Sequence, residues 1–282
     1  MYRILIAGAG YAGLRIASYF VREKQKVFGL IKDPARREAL ERKAVLPVLA
    51  DLTRPGTLGD LPAVHFVVIA VAPDGRTEAD YRAVYLEGIR HLLDALRVHT
   101  PPRLIVHLSS TGVYGEKHGD WVDEETSPEP ENEKGRILLR AEEQVLGSGF
   151  QTVVLRLAGI YGPGRNRVAE VRAGGLPRGE KEKYMNMIHV DDIAPAVYAL
   201  FRNAEPGKVY LGCDDEPVAS PVFFEWLCAR LGAASASKKK GEGPVLGKRC
   251  RNGRLKSLGV QWTYPTFREG YDSILKEEGI RV

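Results

Sequence analysis

The chain has 282 residues, of which 44% are hydrophobic and 27% are charged, and its formal net charge is +5. This length accommodates one large α/β unit or two lobes that share a core. No apolar run approaches the ~20 residues that a membrane span needs, and the first residues lack the charged-then-apolar pattern of a secretory signal, so no membrane partner is expected.

The cysteines and the basic residues indicate neither a metal site nor a nucleic-acid site. Cys213, Cys228 and Cys250 are widely spaced and odd in number, which matches no zinc motif and is typical of a reducing cytoplasm. Acidic and basic residues are interspersed along most of the chain, and residues 238–240 form its only true basic run. We interpret that run as a solvated loop and expect a cytoplasmic protein with no metal and no nucleic-acid partner.

Apolar runs alternate with helical patterns through the first half of the chain. Strands that are apolar throughout and separated by helices predict a parallel sheet covered on both faces. The right-handed crossover rule then predicts a doubly wound α/β fold. The predicted strands are YRILIAG, KVFGLI, VLPVLA, VHFVVIAVA, RLIVHLSS and TVVLRLAGI. The predicted helices are YAGLRIASYFVREK, PARREALERK, residues 76–98 and PENEKGRILLRAEE.

The character of the sequence changes after about Gly162, where glycine and proline become frequent and the elements shorten. We expect a larger unit over residues 1–161 and a smaller α/β substrate lobe over residues 162–282, interleaved with the first. The carboxyl edge of the sheet, where such folds bind substrates, is the expected place for this lobe. Its predicted helices lie near residues 191–203, 220–231 and 266–276.

The first predicted strand runs directly into a glycine-rich turn. Gly8, Gly10 and Gly13 have the spacing G-x-G-x-x-G between a strand and a helix, which is the context of a dinucleotide-binding fingerprint. Gly8 permits the tight turn, Gly10 lets a pyrophosphate approach the backbone, and Gly13 lets the helix pack close to the strand. Tyr11 and Ala12 then belong to a helix N-terminus whose free N–H groups face the phosphates. We predict that a dinucleotide binds here.

The end of the second predicted strand distinguishes NAD from NADP. An NAD site places a carboxylate there for the ribose 2′-hydroxyl, but Asp33 precedes Pro34 and is expected to cap the following helix instead. Lys32, Arg36 and Arg37 would then surround a 2′-phosphate. The alternative for the two arginines is a solvated helix face. NADP is therefore favoured over NAD.

Two further strand ends complete the predicted nucleotide site. Asp51 and Leu52 follow the third strand, where the edge of the adenine would lie. Ala70 and Ala72 follow the fourth strand, where small residues let the backbone of the dinucleotide pass. Both assignments rest on position along the chain.

Three later motifs, together with the glycine turn, resemble the extended branch of the short-chain dehydrogenase/reductases, the NAD-dependent epimerase/dehydratase family. The motifs are HLSSTGVYG after the fifth strand, GIYGPGRN after the sixth, and NMIHVDDIA at the entry to a helix. The stretches LGCDDEPV and GKRCRNGRLKSLGVQWTYPTFREGY look like the atypical NAD(P)-binding oxidoreductases of that group. The resemblance implies an NAD(P)-binding Rossmann fold and a small carbonyl, hydroxyl or sugar-derived substrate.

The resemblance also implies a catalytic Ser or Thr at the end of the fifth strand and a Tyr-x-x-x-Lys pair on the next helix. In such a pair, the lysine lowers the tyrosine pKa and holds the nicotinamide ribose, so that the tyrosine can pass a proton while hydride moves. Here Lys134 occupies the tyrosine position and Leu138 the lysine position, so the pair is missing. Ser110 occupies the serine position, and the alternative for it is a polar strand end that satisfies backbone groups. Tyr114 or Lys134 is the remaining candidate proton donor, and the alternative for Tyr114 is a packing or positioning role, which the resemblance implies for a tyrosine in a VYG motif.

Other polar residues have structural as well as functional interpretations. His107, within a strand, is predicted to be a core histidine with satisfied hydrogen bonds. Asp191 and Asp192 are predicted to cap the helix that follows them. Four residues would bind an anionic substrate group if they reach the cleft, and would otherwise be surface charge: Arg165, Asn166, Lys248 and Arg249.

Two functions remain open. The first is an NADP-preferring oxidoreductase or epimerase/dehydratase-like enzyme that uses Ser110 with Tyr114 or Lys134. The second is a catalytically inactive NADP-binding redox sensor or regulatory protein that has lost the pair. Members of the family often dimerise through the two helices that flank the central strands, which implies a monomer or a homodimer.

Overall fold

The computed structural model describes residues 1–98, 101–115, 117–174, 182–233 and 245–280; the basic run at residues 238–240 lies outside these ranges. The strands are β1 (Arg3–Ala7), β2 (Lys26–Ile31), β3 (Leu46–Leu49), β4 (Phe66–Ile69), β5 (Leu104–Ser110), β6 (Trp121–Val122), β7 (Thr152–Leu157), β8 (Gly159–Tyr161), β9 (Tyr184–Met185), β10 (Met187–His189), β11 (Val209–Gly212), β12 (Val218–Ala219) and β13 (Arg249–Cys250). The helices are α1 (Tyr11–Arg22), α2 (Arg37–Glu41), α3 (Glu78–Tyr81), α4 (Ile89–Leu96), α5 (Glu133–Leu146), α6 (Val168–Arg172), α7 (Ile193–Asn203), α8 (Ser220–Leu231), α9 (Gly253–Lys256) and α10 (Phe267–Glu277).

Seven strands of the described chain form one central sheet, in the order β11-β7-β5-β4-β1-β2-β3. Neighbouring strands in it run parallel to each other. The order reverses between β1 and β4, which opens a crevice at the carboxyl ends of these strands. The predicted doubly wound parallel sheet is confirmed.

Both faces of the central sheet are covered by apolar helix surfaces. Ile4 and Ile6 of β1 belong to a buried cluster with residues of α1 and α7. Leu5 and Ala7 belong to a second cluster with residues of α4 and α5. Because successive side chains of a strand point to opposite faces, a strand covered on both sides has to be apolar throughout, as the sequence of β1 is.

The predicted smaller lobe contributes to the central sheet as well as to its own core. β11 lies beyond residue 162 and pairs with β7 at the end of the sheet. Tyr161, Phe223, Phe267 and Tyr271 belong to a separate buried cluster, which combines residues of α6, α8 and α10 with residues of short strands such as β8. The two parts of the chain are thus interleaved, while the division into residues 1–161 and 162–282 stays a prediction.

The helix predicted over residues 76–98 spans α3, a π-helical segment at Arg82–Gly88, and α4. Thr77 caps its N-terminus in a capping box with Asp80. Gly88 is buried at the π segment, where a Cβ would lie 3.0 Å from the Cβ of Leu52. Neither this nor any other helix of the described residues has the length and apolarity that crossing a membrane requires.

His107 lies in the core as predicted, but the prediction that its hydrogen bonds are satisfied was wrong. The side chain is fully buried on β5, and neither ring nitrogen has a hydrogen-bond partner within the described chain. Its register neighbours on β4 and β7 are Ile69 and Val154, whose side chains offer no polar atom. Burial lowers the pKa of His107 from 6.5 to about 4.

This histidine is expected to make the protein sensitive to acid. Between pH 6.5 and about 4 the unfolded chain binds a proton at His107 and the folded chain does not, so stability is complete above this window and is lost as the pH falls through it. We expect the free energy of unfolding to fall by about 2 kcal/mol between pH 7 and pH 5 from this residue alone. Urea unfolding of a His107→Leu variant measures the effect, because its stability should depend less on pH. The exposed His118, replaced by Asn, serves as the control; equal pH dependence in both variants would contradict the expectation.

Candidate functional site

The turn between β1 and α1 contains three glycines that differ in what surrounds them. Gly8 has a φ of +97°, and a Cβ there would lie 2.7 Å from the carbonyl oxygen of Ala70. A Cβ at Gly13 would lie 2.1 Å from the carbonyl oxygen of Gly8, so the close packing of helix on strand requires glycine. A Cβ at Gly10, by contrast, would meet no atom within 4 Å. The backbone at Gly10 therefore faces open space. Internal packing does not require a glycine at this position, but the close approach of a ligand to the backbone would.

Within the described residues, no side chain accepts a hydrogen bond from the N-terminus of α1. Gly10 is the N-cap and provides no side-chain hydrogen bond, and the first turn contains no acidic residue. The first N–H groups of a helix lack intrahelical partners and carry partial positive charge. The backbone at Tyr11 and Ala12 thus fits the pyrophosphate of a dinucleotide.

Asp33 caps the short 3₁₀ turn after β2, which confirms the predicted role. Its carboxylate accepts a hydrogen bond from the Ala35 N–H at 2.9 Å, and Pro34 occupies the first position of the turn. Arg36 and Arg37 follow and are exposed to solvent. Neither guanidinium group forms an ion pair with a carboxylate of the described residues.

Lys32 has a partner that the sequence did not indicate. Its ammonium group forms an ion pair with Asp74, which follows β4, and this hydrogen bond raises the pKa of Lys32. The two side chains are 55% and 76% exposed, so the pair contributes little and can exchange for another anion. Lys32 follows β2 and Asp74 follows β4, so the pair connects the loops on either side of β1 at this edge of the sheet.

The remaining predicted nucleotide residues also lie at this edge. Asp51 accepts hydrogen bonds from the N–H and the hydroxyl of Thr53, at 2.9 and 2.8 Å. Burial alone would raise the pKa of Asp51, but these hydrogen bonds outweigh it, so the pKa lies below its ordinary value. Leu52 is buried, Ala70 packs on the glycine turn, and Ala72 is exposed.

Ser110 is half-buried at the carboxyl end of β5. Its hydroxyl oxygen accepts a hydrogen bond from the Gly112 N–H at 3.0 Å and so caps the 3₁₀ turn that follows. In the described part of the chain no acceptor uses the hydroxyl proton. Ser110 can therefore donate this proton to a substrate oxygen.

The hydroxyl group of Tyr114 already makes two hydrogen bonds within the protein. The side chain is 2% exposed, and its hydroxyl donates to the Asp123 carbonyl oxygen at 2.7 Å and accepts from Arg156 at 2.8 Å. Burial raises the pKa of Tyr114 to about 12 against the lowering effect of Arg156. This geometry does not favour Tyr114 as a proton donor, because its hydroxyl is held on both sides and is far from ionising near neutral pH.

Arg156 belongs to a buried network that the sequence analysis missed. Its guanidinium donates to both carboxylate oxygens of Glu142, at distances between 2.7 and 3.1 Å. Glu142 also accepts from the Ser109 hydroxyl at 2.6 Å, and the Arg156 and Glu142 side chains are only 5% and 2% exposed. The position of this arginine inside the apolar stretch TVVLRLAGI could have indicated the network, because a buried charge needs a buried partner. The network ties α5 to β5 and β7 beneath Ser110.

The first turn of α5 lies beside the turn that follows Ser110. Asn132 is the N-cap of α5, and its side chain accepts from the Gly135 N–H at 2.9 Å. A Cβ at Gly135 would lie 3.1 Å from the Gly112 carbonyl oxygen, so this close approach uses a glycine. The arrangement brings the start of α5 to the carboxyl edge of the sheet.

The two α5 positions at which the family resemblance predicts the Tyr-x-x-x-Lys pair have different surroundings. The Lys134 ammonium lies 5.3 Å from the centroid of the Tyr81 ring, and no carboxylate of the described chain pairs with it. Leu138 is 9% exposed and belongs to the buried apolar cluster that contains Val113 and Tyr114. Lys134 is thus available for chemistry, whereas Leu138 contributes to packing.

Asp192 is the N-cap residue of α7, but its side chain makes no capping hydrogen bond, so the prediction that Asp191 and Asp192 cap this helix through their carboxylates was wrong. Asp191 forms an ion pair with Arg15 of α1 at 2.7 Å. Asp192 is buried and accepts hydrogen bonds from the backbone N–H groups of Thr263 and Tyr264, at 2.8 and 3.0 Å. Both carboxylates thus bind groups that are distant in sequence, in α1 and in the C-terminal segment, instead of N–H groups of the adjacent helix.

The four residues considered for an anionic substrate have separate contacts. Arg165 lies 5.8 Å from the centroid of the Tyr11 ring, beside the glycine turn. The amide of Asn166 binds locally, since its oxygen accepts from the Val168 N–H at 2.9 Å. Lys248 donates to the Tyr114 carbonyl oxygen at 3.0 Å, and the Arg249 guanidinium donates to the Gly119 carbonyl oxygen at 2.6 Å.

Comparison with known sequences agrees with this description. The sequence model of the NAD dependent epimerase/dehydratase family matches residues 4–212. Protein YeeZ of Escherichia coli strain K12 is 32% identical over 187 residues, an alignment that covers 64% of this chain and 65% of YeeZ. The chain therefore spans about 65% of the length of this curated relative.

Solved structures share the fold over nearly the whole chain. A Methylobacillus flagellatus protein assigned to the NAD-dependent epimerase/dehydratases is 30% identical, with a TM-score of 0.82 and 99% of each chain covered. The dTDP-glucose 4,6-dehydratase of Bacillus anthracis, in complex with NAD, is 17% identical with a TM-score of 0.80 over 99% of this chain and 97% of its own. RMD of Pseudomonas aeruginosa, complexed with NADPH, is 21% identical with a TM-score of 0.76 over 100% of both chains. The last two indicate the fold alone, but the family match is decisive: this chain belongs to the NAD-dependent epimerase/dehydratase family of short-chain dehydrogenase/reductases, whose members bind NAD(P).

Proposed function

We propose that the chain is an NADP-preferring oxidoreductase or epimerase/dehydratase-like enzyme that acts on a small carbonyl, hydroxyl or sugar-derived substrate. The observation that carries the proposal is the bare backbone at Gly10, where the uncapped N-terminus of α1 meets open space. A pyrophosphate supplies the acceptors and the negative charge that this helix end lacks. When bound, the nicotinamide of such a cofactor donates or accepts hydride.

The preference for NADP rests on the charges after β2. The carboxylate of Asp33 is engaged with the Ala35 N–H, so it is not directed at a ribose hydroxyl. Arg36 and Arg37 are exposed and form no ion pair within the described residues. A guanidinium group binds phosphate oxygens with two parallel hydrogen bonds, which suits the 2′-phosphate of NADP. Lys32 would also bind this phosphate if its ammonium leaves the exposed carboxylate of Asp74, with which it now forms an ion pair.

Ser110 and Lys134 are the groups that we propose for the proton step. The hydroxyl proton of Ser110 can bind the carbonyl oxygen of a substrate, while its oxygen accepts from the Gly112 N–H. Lys134 lies in the first turn of α5, beside the same 3₁₀ turn. Its ammonium can give a proton to the oxygen that gains negative charge as hydride adds to the carbonyl carbon. Tyr114 is left out of the reaction because Arg156 and a backbone carbonyl already hold its hydroxyl.

Leu138 favours a second candidate function, a catalytically inactive NADP-binding redox sensor or regulatory protein. An apolar side chain packed among Val113 and Val122 cannot hold a nicotinamide ribose or lower the pKa of a neighbour. A sensor needs a dinucleotide site and a protein surface that changes when the dinucleotide binds, but it needs no proton donor. Both candidates therefore share the nucleotide site and differ in turnover.

Titration with NADPH and NADH, followed by nicotinamide fluorescence, tests the cofactor. We expect NADPH to bind more tightly, and we expect the double variant Arg36→Gln/Arg37→Gln to weaken NADPH about tenfold while NADH is unchanged, because only the 2′-phosphate contacts these guanidinium groups. Arg42→Gln is the matched control, since Arg42 on the same segment pairs with Glu38. Tighter binding of NADH would contradict the preference.

Turnover separates the two candidates. We expect NADPH to be oxidised in the presence of at least one member of a panel of aldehydes, ketones and keto-sugars. Ser110→Ala and Lys134→Met should each lower the turnover number without lowering the affinity for NADPH. Tight binding of NADPH with no oxidation by any carbonyl would instead support the sensor.

We also propose a substrate charge, a cellular location and an assembly state for the protein. We propose a substrate with an anionic group that Lys248 binds, since its ammonium reaches the carbonyl oxygen of Tyr114, four residues after Ser110, whereas the Arg249 guanidinium donates to the Gly119 carbonyl oxygen. We propose a cytoplasmic location and a monomer or homodimer. Size-exclusion chromatography with light scattering measures the assembly state directly.

A further inference from the structure

We infer that Arg165 binds the pyrophosphate of the dinucleotide and that Tyr11 positions the turn that carries it. The inference rests on the proposed dinucleotide site and adds a residue to it from a distant part of the chain. Tyr11 is the first residue of α1, and Arg165 follows β8 in the turn at residues 162–165. From its sequence context, Arg165 is a candidate only for binding a substrate anion or for surface charge.

The turn at residues 162–165 is fixed against the start of α1. Gly162 and Arg165 exchange two backbone hydrogen bonds of 3.0 Å, which close the turn. The Tyr11 hydroxyl donates to the carbonyl oxygen of Pro163 at 3.1 Å. A Cβ at Gly162 would lie 2.8 Å from the Tyr11 hydroxyl oxygen, so the ring can approach this closely only because residue 162 is glycine. The conformation of the turn therefore depends on Tyr11.

Two guanidinium groups lie near the Tyr11 ring, and their charges are compensated differently. The Cζ atoms of Arg15 and Arg165 are 5.7 and 5.8 Å from the ring centroid. Arg15 pairs with the carboxylate of Asp191 at 2.7 Å. Arg165 is exposed and has no carboxylate partner within the described chain. An uncompensated cation thus stands beside the residue whose backbone opens α1.

This placement suits an anion held from two sides. The first N–H groups of α1 lack acceptors, and the Arg165 guanidinium can provide two parallel donors to the same diphosphate. Asn166, the neighbour considered with Arg165 for a substrate anion, uses its amide oxygen to accept from the Val168 N–H and does not extend the site. Because Arg165 lies beside Tyr11, the first residue of α1, we infer that a diphosphate bound at this helix end compensates its charge.

An Arg165→Gln variant, titrated with NADPH, NADH, ADP-ribose and adenosine 2′-monophosphate, tests the assignment. We expect about tenfold weaker binding of the first three ligands, which contain a pyrophosphate, and unchanged binding of the fourth, which does not. Arg167→Gln is the matched control, because Arg167 is exposed in the same segment and pairs with Glu170 at 2.6 Å. Tyr11→Phe should weaken the same three ligands about threefold by removing the hydrogen bond to Pro163.

The ligand pattern separates this inference from the proposed function. Unchanged affinities in folded Arg165→Gln, while the wild-type protein binds NADPH and NADH, would overturn the role of Arg165 and leave the proposed function intact. Failure of the wild-type protein to bind either dinucleotide would overturn both. A loss confined to NADPH would assign Arg165 to the 2′-phosphate and also overturn the inference. Arg165→Lys, which keeps the charge but not the two parallel donors, should give intermediate affinities.

Discussion

Gly10→Ala is expected to abolish dinucleotide binding while leaving the fold intact. The added methyl group would meet no protein atom within 4 Å, so the Tm should not change. It would occupy the space through which a pyrophosphate reaches the backbone N–H groups of Tyr11 and Ala12. Losing two charge-assisted hydrogen bonds of about 1.5 kcal/mol each corresponds to at least about a 100-fold rise in Kd, for NADPH and NADH alike.

Gly13→Ala provides the contrasting variant from the same turn. Its methyl group would lie 2.1 Å from the Gly8 carbonyl oxygen, so α1 could not keep its position against β1. We expect this variant to lower both the Tm and the affinity, whereas Gly10→Ala lowers the affinity alone. Calorimetric titration and thermal unfolding measure the two quantities. If folded Gly10→Ala binds NADPH as tightly as the wild type, the glycine turn is not the phosphate site.

Glu142→Gln is expected to lower the free energy of unfolding by about 3 to 5 kcal/mol, because it leaves a buried guanidinium group without its carboxylate. Arg156 is 5% exposed and makes three of its hydrogen bonds to the carboxylate of Glu142. The loss should also loosen Tyr114, whose hydroxyl accepts from the same guanidinium. Urea unfolding at pH 7 measures the change.

Two further variants distinguish a buried pair from an ordinary ion pair. The double variant Glu142→Leu/Arg156→Met should recover most of the loss, since apolar replacement of both partners removes the unpaired charge. Glu170→Gln breaks the exposed pair with Arg167, whose side chain is 53% exposed, and should cost less than about 1 kcal/mol. A loss in Glu142→Gln no larger than in Glu170→Gln would show that the network does not stabilise the fold.

Features that depend on residues close together in the chain could be predicted from the sequence. The strands alternate with helices, and their uniformly apolar composition indicated a parallel sheet with two covered faces. Gly8 and Gly13 were recognised by their spacing, and their packing agrees with it. Asp33 was assigned as a cap because Pro34 follows it directly, and a hydrogen bond to Ala35, two residues away, confirms this.

Side chains with more than one possible partner could not be assigned from the residues next to them in the chain. His107 was correctly placed in the core, but the absence of hydrogen-bond partners for it depends on the neighbouring strands. Asp192 begins a helix, yet it binds Thr263, which is 71 residues further along the chain. Tyr114 was considered as a proton donor because it follows Ser110 closely in the chain. The direction of its hydroxyl was decided by Arg156, 42 residues away.

The sequence by itself determined the fold class, the dinucleotide turn and the absence of the Tyr-x-x-x-Lys pair. Each of these features depends on the type and spacing of residues within one or two adjacent elements. Only the tertiary structure decided which charges are compensated. Glu142 pairs with Arg156 across α5 and β7, and Tyr11 meets the turn of Arg165 through Pro163, 152 residues away. The energy of a charge depends on burial and on the distance to its partner, and both are set by how strands and helices distant in sequence come together.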